Sequence, residues 1–527
     1  MTNLHLGYIN PPEALFQFRL EQDRRPVMTV VDLFDVGNPS FLVDQLDQLK
    51  HFVRRSARQG RPIREFETKL LAMLLEVGHD CCTEYLRLQG DGDLGPSIDS
   101  EEGPMTRSDK PRPRELRTLF GEHVYHAYVY GRNLDRKIDF RPVDVRMQLP
   151  ESKFSPRFQE ISHLLGVEQA FNRSAKTLDA IFGETISVNS LERIHANLAE
   201  SAEQFLFELP IPAAKDEGEI LVVSGDGKGI PMVRETTQKV PAFEKREHPG
   251  NRQMATLATV YSVDRFVRTP EQIVDALFRE PTDEPPTKRP EPVGKAVVGY
   301  RTRVEENEEP MPGDIQAFTW AAEQVRRRHQ KGQPLVRLMN GQASLWNTAT
   351  FCLGDRSTID ILDIIHVSSY VWSAAKILES HREHQEAYAR DWRLRILQGK
   401  VSGVISSLRQ QATKRKLSKK DREAIGRICN YFQKNRYRMQ YHEYLREGYP
   451  IATGVIEGAC RHLVMDRMCR TGMRWKVPGS QAMLHLRAIH QADLSDTFHD
   501  YRARLERDRI KNLRKLLKNY TPFTLCG

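Results

Sequence analysis

No stretch of about 18 apolar residues occurs in the 527-residue chain, so none of it reads as a transmembrane helix. The opening MTNLHLGYINPPEALFQFRL lacks a continuous apolar h-region and a small-residue cleavage site. Secretion is therefore not expected, and a cytoplasmic location is. Cysteine is scarce: Cys81 and Cys82 are adjacent, and Cys352, Cys429, Cys460, Cys469 and Cys526 are scattered. An odd set of seven with no CxxC spacing argues against a disulfide framework or a zinc ribbon, and predicts reduced, mostly buried thiols. The GxxxxGK[ST] spacing is absent, so GDGKG is not a Walker loop and phosphoryl transfer on small molecules is poorly supported. Internal repeats are absent too.

The length implies roughly two to four domains. A net charge of +9 admits a phosphate-binding surface where the charge is clustered. Three clusters stand out. The last helical stretch carries Arg502, Arg504, Arg507, Arg509, Lys511, Arg514, Lys515 and Lys518 against Asp500, Glu506 and Asp508. It reads as a phosphate contact, as a solvated helix, or as a helix pairing with another subunit through Leu505, Leu513, Leu516 and Leu517. A second cluster is Lys414, Arg415, Lys416, Lys419, Lys420 and Arg422. A third, Arg470, Arg474, Trp475 and Lys476, would grip DNA, with Trp475 either stacked on an unpaired base or packed in the core.

Residues 12–88 read as helical, and Gln89–Arg114 as a Gly/Pro/Asp-rich linker or long loop. LRTLFGEHVYHAYVYG alternates as short strands. FNRSAKTLDAIFGETISVNSLERIHANLAE has the form helix, glycine turn, helix, with Asn189, Glu192, Arg193 and Asn197 on the exposed face. It is either a DNA-reading helix-turn-helix or an ordinary helix pair. Next come a buried-strand run EILVVSGDGKGIPM ending in an acidic glycine turn, strands in QMATLATVYSVDRFV, and an exposed insert REPTDEPPTKRPEPVG. A helix, the short strand PLVRLMN, a third strand STIDILDIIHV and a long helix follow. This order implies a mixed sheet with helices packed on it.

Several polar residues sit at these strand ends. Asp226 follows ILVVSG and is placed either to bind a divalent cation or simply to make a turn. Asn340 ends the second run; its amide oxygen can coordinate a cation but brings no charge. Asp363 and His366 read either as catalytic-edge groups or, preferably, as structural support. Glu457 opens a helix with Arg461 at i,i+4 spacing, as a surface ion pair or as a further metal ligand.

Taken in order, SGDGKGIPM, PLVRLMNGQASLW, ILDIIHVSSYVWSAAKI and GVIEGACRHLVMDRMCRTGMRW resemble the ISKra group of bacterial insertion-sequence transposases. TLFGEHVYHAYVYG and LPESKFSPRFQ are similar to that family as well, and the resemblance spans roughly Arg114–Ala488. It implies an α/β chain with an RNase H-like mixed-sheet catalytic core of the DDE type. A helical N-terminal DNA-binding region precedes the core, and a helical insertion precedes its last acidic helix. The implied divisions are 1–113, helical with linker; 114–216, strands and a helix-turn-helix-like region; 217–370, core; 371–447, helical insertion; 448–495, core with the acidic helix; and 496–527, a basic helix. Asp226 and Glu457 match the family's first aspartate and its glutamate. Asn340 takes the place of the second aspartate, in a motif usually written LMDGQ. Asp363 and His366 match a later DxxH block. Where many relatives carry paired cysteines, this chain has YVYGRNLDRKIDF, which puts a zinc module there in doubt.

By that resemblance the chain is a transposase that binds double-stranded insertion-sequence ends, as a homodimer or larger assembly near the bacterial nucleoid. It would cut DNA and transfer strands with two Mg²⁺ or Mn²⁺ ions held by residues 226, 340 and 457. Asn340 removes one negative charge, so cation occupancy and cleavage are expected to fall while DNA binding survives. A deliberate Asp→Asn replacement, a repurposed DNA-binding relative, and takeover of the ligand role by Asp363 all remain open. The expected DNA contacts are Asn189, Arg193, Lys414, Arg415, Lys416, Arg461, Arg470, Arg474, Trp475, Lys476, Arg507, Lys511 and Arg514.

Overall fold

The computed structural model describes residues 40–134, 137–183, 185–233, 252–278, 288–303, 309–415, 417–518 and 520. The helices Ser40–Arg58 and Ile63–Arg87 match the helical expectation for the N-terminal region, whose residues before 40 lie outside the described set. Two small sheets follow. One contains β1 (Ser97–Ser100), β2 (Gly103–Arg107) and β5 (Tyr130–Gly131); the other is the hairpin of β3 (Arg112–Thr118) and β4 (Gly121–Ala127). The segment Gln89–Arg114, expected as linker, therefore carries an antiparallel hairpin, Ser100 pairing with Gly103. Its side chains are too polar to alternate visibly, and its order comes from backbone pairing instead.

The central sheet has five strands: β6 (Ile220–Pro231), β7 (Arg252–Val263), β8 (Val293–Arg301), β9 (Leu335–Met339) and β10 (Ile359–Leu362). Their spatial order is β10-β9-β6-β7-β8; β6, β7 and β8 run antiparallel, while β9 and β10 run parallel to β6. The run ILVV of β6 is buried on both faces because helices cover the sheet on both sides. Leu221 and Val223 face a core shared with the helices Gly313–Arg328, Ala343–Leu353 and Val477–Gln491. The helices Pro156–Glu168, Val188–Ala199 and Ala202–Glu208 extend that core.

Ile220 and Val222 face the other core, built with Ile364–Leu378, Arg382–Leu397, Val401–Lys414, Lys419–Asn435 and Tyr441–Arg446. The segment expected as a helical insertion is thus a complete layer on the sheet. Arg328 and Glu217, each side chain 1% exposed, form a two-pronged pair (2.7 and 2.8 Å) on the opposite side.

Four local features differ from expectation. The glycine-rich stretch after Asp226 is not a turn; β6 continues to Pro231, with Asp226 opposite Leu257 and Gly229 opposite Met254. A partner strand supplies the hydrogen bonds that local turn chemistry does not foresee. The third strand ends at Leu362, so His366 lies in the first turn of a helix rather than on a strand. β8 begins at the end of the expected insert, and the Ala343–Leu353 helix was not foreseen.

Register brings the polar strand ends level. Val223 of β6 pairs with Arg337 of β9, and Met339 of β9 pairs with Leu362 of β10. Carried forward residue by residue, these offsets put Asp226 of β6 side by side with Asn340 and Asp363, which come just past the ends of the neighbouring strands β9 and β10.

Candidate functional site at the sheet edge

Asp226 lies in the middle of the group. Its Oδ1 accepts hydrogen bonds from the Asn340 side-chain amide (2.8 Å) and the Gly227 backbone N–H (2.8 Å), and its Oδ2 accepts from the Cys460 thiol (3.5 Å). Burial first, and then Asp226 beside it, pushes the Cys460 thiol well above the usual cysteine range. Cys460 is therefore a hydrogen-bond donor here and not a thiolate. Its role was not foreseen, although its spacing of three from Glu457 places the two on one helix face.

The Asn340 amide is oriented by two opposed demands. Its Oδ1 accepts from the Gln342 backbone N–H (2.9 Å) while its Nδ2 donates to Asp226. Flipping the amide would set donor against donor and acceptor against acceptor. The backbone carbonyl of Asn340 accepts from the Trp346 indole (2.6 Å). Behind it, a Cβ on Gly341 would lie 2.3 Å from the Tyr431 ring. Glycine is required there because the helix Lys419–Asn435 lays Tyr431 directly on the turn.

Asp363 is fully buried and caps the helix Ile364–Leu378. Its Oδ1 accepts from the N–H groups of Ile365 (3.1 Å) and Thr453 (3.1 Å). Its Oδ2 accepts from the His366 N–H (3.1 Å) and His366 Nδ1 (2.6 Å). A carboxylate offers about four acceptor positions, and all are taken. The bond to Asp363, foremost, raises the His366 imidazole above its ordinary value, with Glu457 and Asp226 adding to it and burial opposing.

Glu457 comes from the short helix Gly454–Ala459, which opens into a π-helical turn, Cys460–Met465. Such turns recur at functional sites. Burial first, then Asp363, pushes the Glu457 carboxyl above the usual range, and Asp226 contributes in the same sense. Its Oε1 accepts from Thr453 Oγ1 (3.4 Å). The expected Glu457–Arg461 pair is replaced by Arg461 beside Asp466 (3.9 Å).

Ligand atoms of Asp363, His366 and Glu457 lie within 4.8 Å of one another. Because Asp363 is saturated, only His366 and Glu457 of that trio have capacity to spare. A cation bridged between positions 226 and 340 does not fit either: the amide N–H group, not the oxygen, points at Asp226. The site thus gathers the predicted residues but satisfies Asp226 with hydrogen-bond donors.

The predicted DNA contacts are scattered. Asn189 and Arg193 are exposed on the helix Val188–Ala199, whose Leu191, Ile194 and Leu198 are buried. Arg461, Arg470, Arg474 and Lys476 are exposed near the Glu457 helix, and Arg507, Lys511 and Arg514 near the C-terminus. Lys414 is exposed, Arg415 is tied to Glu379 (2.7 Å), and Lys416 lies outside the described residues.

Of the two readings of Trp475, the structure shows core packing. The residue is 8% exposed, its indole donates to the Met468 carbonyl (3.0 Å), and the Arg467 guanidinium sits over its ring. The basic C-terminal stretch is two helices, Ser495–Arg509 and Lys511–Lys515, not one. Leu513, Leu516 and Leu517 pack inward against Met105, Tyr130, Phe140 and Val145 and do not form a free subunit face. Among the described residues, no helix is long and apolar enough to cross a membrane.

No family model and no curated protein matches the chain. Among solved structures it is similar to the Drosophila P element transposase strand transfer complex, at 9% identity and a TM-score of 0.22, over 70% of this chain and 88% of that one. At that TM-score the likeness carries no weight for fold or function.

Proposed function

We propose that this chain is a DNA-binding protein of the transposase type, with an RNase H-like core whose cleavage and strand-transfer centre is impaired by Asn340. The observation that carries this is the convergence of Asp226, Asn340 and Glu457 at one edge of a five-stranded mixed sheet. Three antiparallel strands followed by two parallel ones, with Asp226 of β6 level with Asn340 and Asp363 just past the ends of β9 and β10, is compatible with an RNase H-like phosphoryl-transfer core. The ordered sequence blocks around these residues support the same assignment. Double-stranded DNA is the partner, held by the exposed arginines and lysines flanking the Glu457 helix and by the basic C-terminus, with assembly on DNA as a dimer or larger complex.

Two Mg²⁺ or Mn²⁺ ions belong to the active form of such a centre, where they activate the attacking oxygen and stabilise the leaving one. In this chain the Asn340 amide occupies Asp226, so binding is retained without efficient cutting. The test is nicking of supercoiled plasmid in Mg²⁺ or Mn²⁺ by the chain as it stands and by Asn340→Asp, alongside duplex binding at low salt. Nicking is expected only from Asn340→Asp, with similar DNA affinity for both. Equal robust nicking would overturn the role given to Asn340, and no duplex affinity would overturn the DNA assignment.

A further inference from the structure

Behind the Glu457 helix lies a cavity of about 550 Å³, within the size range of small-ligand sites. One wall is the helix face Gly454, Val455, Gly458 and Ala459; the opposite parts come from the end of β7 and from residues 289–297. By register Val263 at its rim lies six residues along β7 from the partner of Asp226, or roughly 20 Å along the strand. The far rim of the cavity therefore stands away from the sheet edge, while Gly458, next in sequence to Glu457, and Val297, opposite Thr259 on β7, bring its near end to the other face of the Glu457 helix.

Three observations there lack an explanation within the protein. Gly454 and Gly458 are helical, yet a Cβ built on either meets no atom within 4 Å, and neither has a positive φ. Glycine weakens a helix, and here neither packing nor backbone geometry asks for it. Tyr261 is 3% exposed and lines the cavity, and among the described residues its hydroxyl has no hydrogen-bond partner.

Two guanidinium groups also meet at the cavity. Arg268 is held by the carbonyls of Phe266 (2.9 Å) and Tyr449 (2.6 Å), which leaves its Nη1 without a partner among the described residues. Arg289, close enough to depress Arg268 to about 10 after burial has done most of the work, has no ion pair among the described residues. Lys295 adds a third positive charge, against Asp264 and Glu291 at the rim.

We propose that this cavity binds a nucleotide, its phosphate at Arg268 and Arg289 and its base in the slot that the two helix glycines keep open. A flat ring lying on bare helix backbone needs the space a side chain would fill. A phosphate would neutralise the paired guanidinium groups with charge-assisted hydrogen bonds, and the Tyr261 hydroxyl would find a partner on the ligand. The nucleotide comes either free from solution or as an unpaired unit of a DNA strand. The assignment does not depend on whether the chain cuts DNA.

The experiment is fluorescence anisotropy of mant-ATP with the full chain, competed by unlabelled AMP and by a single-stranded oligonucleotide, for wild type, Arg289→Ala and Gly458→Leu. Saturable binding is expected, weakened tenfold or more by each substitution. Gly458→Leu should leave the free protein's melting temperature equal or higher, which separates a filled slot from a damaged fold. Competition by AMP alone identifies a free nucleotide, and competition by the oligonucleotide identifies a strand nucleotide; either supports the proposal. If the mononucleotide fails to bind, oligonucleotide binding that both substitutions weaken supports it equally. Absence of both, or binding unaffected by Arg289→Ala and Gly458→Leu, overturns it.

Discussion

The side-chain amide of Asn340 donates to Oδ1 of Asp226 at 2.8 Å, across adjacent parallel strands, where a catalytic metal centre would set two carboxylates. The bond neutralises nothing, but it satisfies Asp226 without a cation. Because Gln342 holds the other end of the amide, the orientation is a property of the turn and not of the side chain alone.

Asn340→Asp should convert this pair into adjacent like charges. In EDTA the variant is expected to lose about 1–3 kcal/mol of stability, through the lost bond and the repulsion. Millimolar Mg²⁺ or Mn²⁺ should restore it, whereas the unsubstituted chain should melt at the same temperature with and without cation. Thermal melts of both proteins in EDTA and in each cation check this. A cation-induced rise of equal size in the two would contradict it.

Asp363→Ala removes a helix N-cap and the partner of His366 together. The cap alone is worth about 0.5–2 kcal/mol, and a buried N–H of Thr453 left unpaired adds to the cost. The His366 imidazole should also titrate lower, since Asp363 is the main group that raises it. NMR titration of the His366 ring reads this directly. A ring titration unchanged in the variant would show that Asp363 does not control it.

Acid should loosen the contact between the C-terminal helix and the helices before the sheet. His163 Nδ1 lies 3.0 Å from His499 Nε2, and His195 packs beside them. Burial lowers His195 and His499 to about 4 and His163 well below 6.5. His490, Arg467, Arg157 and Arg502 press in the same direction, with Asp496 opposing at His499. These imidazoles bind protons more readily unfolded than folded. Their contribution is therefore whole above about pH 6.5 and declines as pH falls toward 4, by roughly 1.4 kcal/mol per pH unit for each. Urea melts across that window should show the decline, and His163→Gln should flatten it.

Glu217→Ala should be among the more damaging substitutions outside the site. It leaves the Arg328 guanidinium, 1% exposed, without its bidentate partner, at a cost of about 3–5 kcal/mol. Denaturant unfolding measures it. A loss below about 1 kcal/mol would mean that the carbonyls of Val260, Val293 and Gly294 satisfy the arginine without Glu217.

Much of the sheet was legible from local pattern. ILVV and PLVRLM are short apolar runs bounded by turn signals, and both are buried central strands. β8 escaped because its apolar run VVGY follows directly on a proline- and charge-rich segment. His366 was displaced from strand to helix because Asp363, read as strand, is a cap. Trp475 carries no local sign of its burial; Met468, Arg467 and Phe171 surround it from a turn and a distant helix.

By itself the sequence determined which residues to expect together: Asp226, Asn340, Asp363, His366 and Glu457 are singled out by their residue types and by where the apolar runs stop. Only the tertiary structure decided what they do to one another. Strand register sets Asp226 level with Asn340, and the turn at Gln342 points the amide nitrogen inward. A backbone N–H from Thr453, ninety residues away, takes the last acceptor position on Asp363. Apolar periodicity is a local property of the chain, but hydrogen-bond saturation depends on donors brought in from four separate segments. That is why the asparagine could be noticed in one dimension and understood only in three.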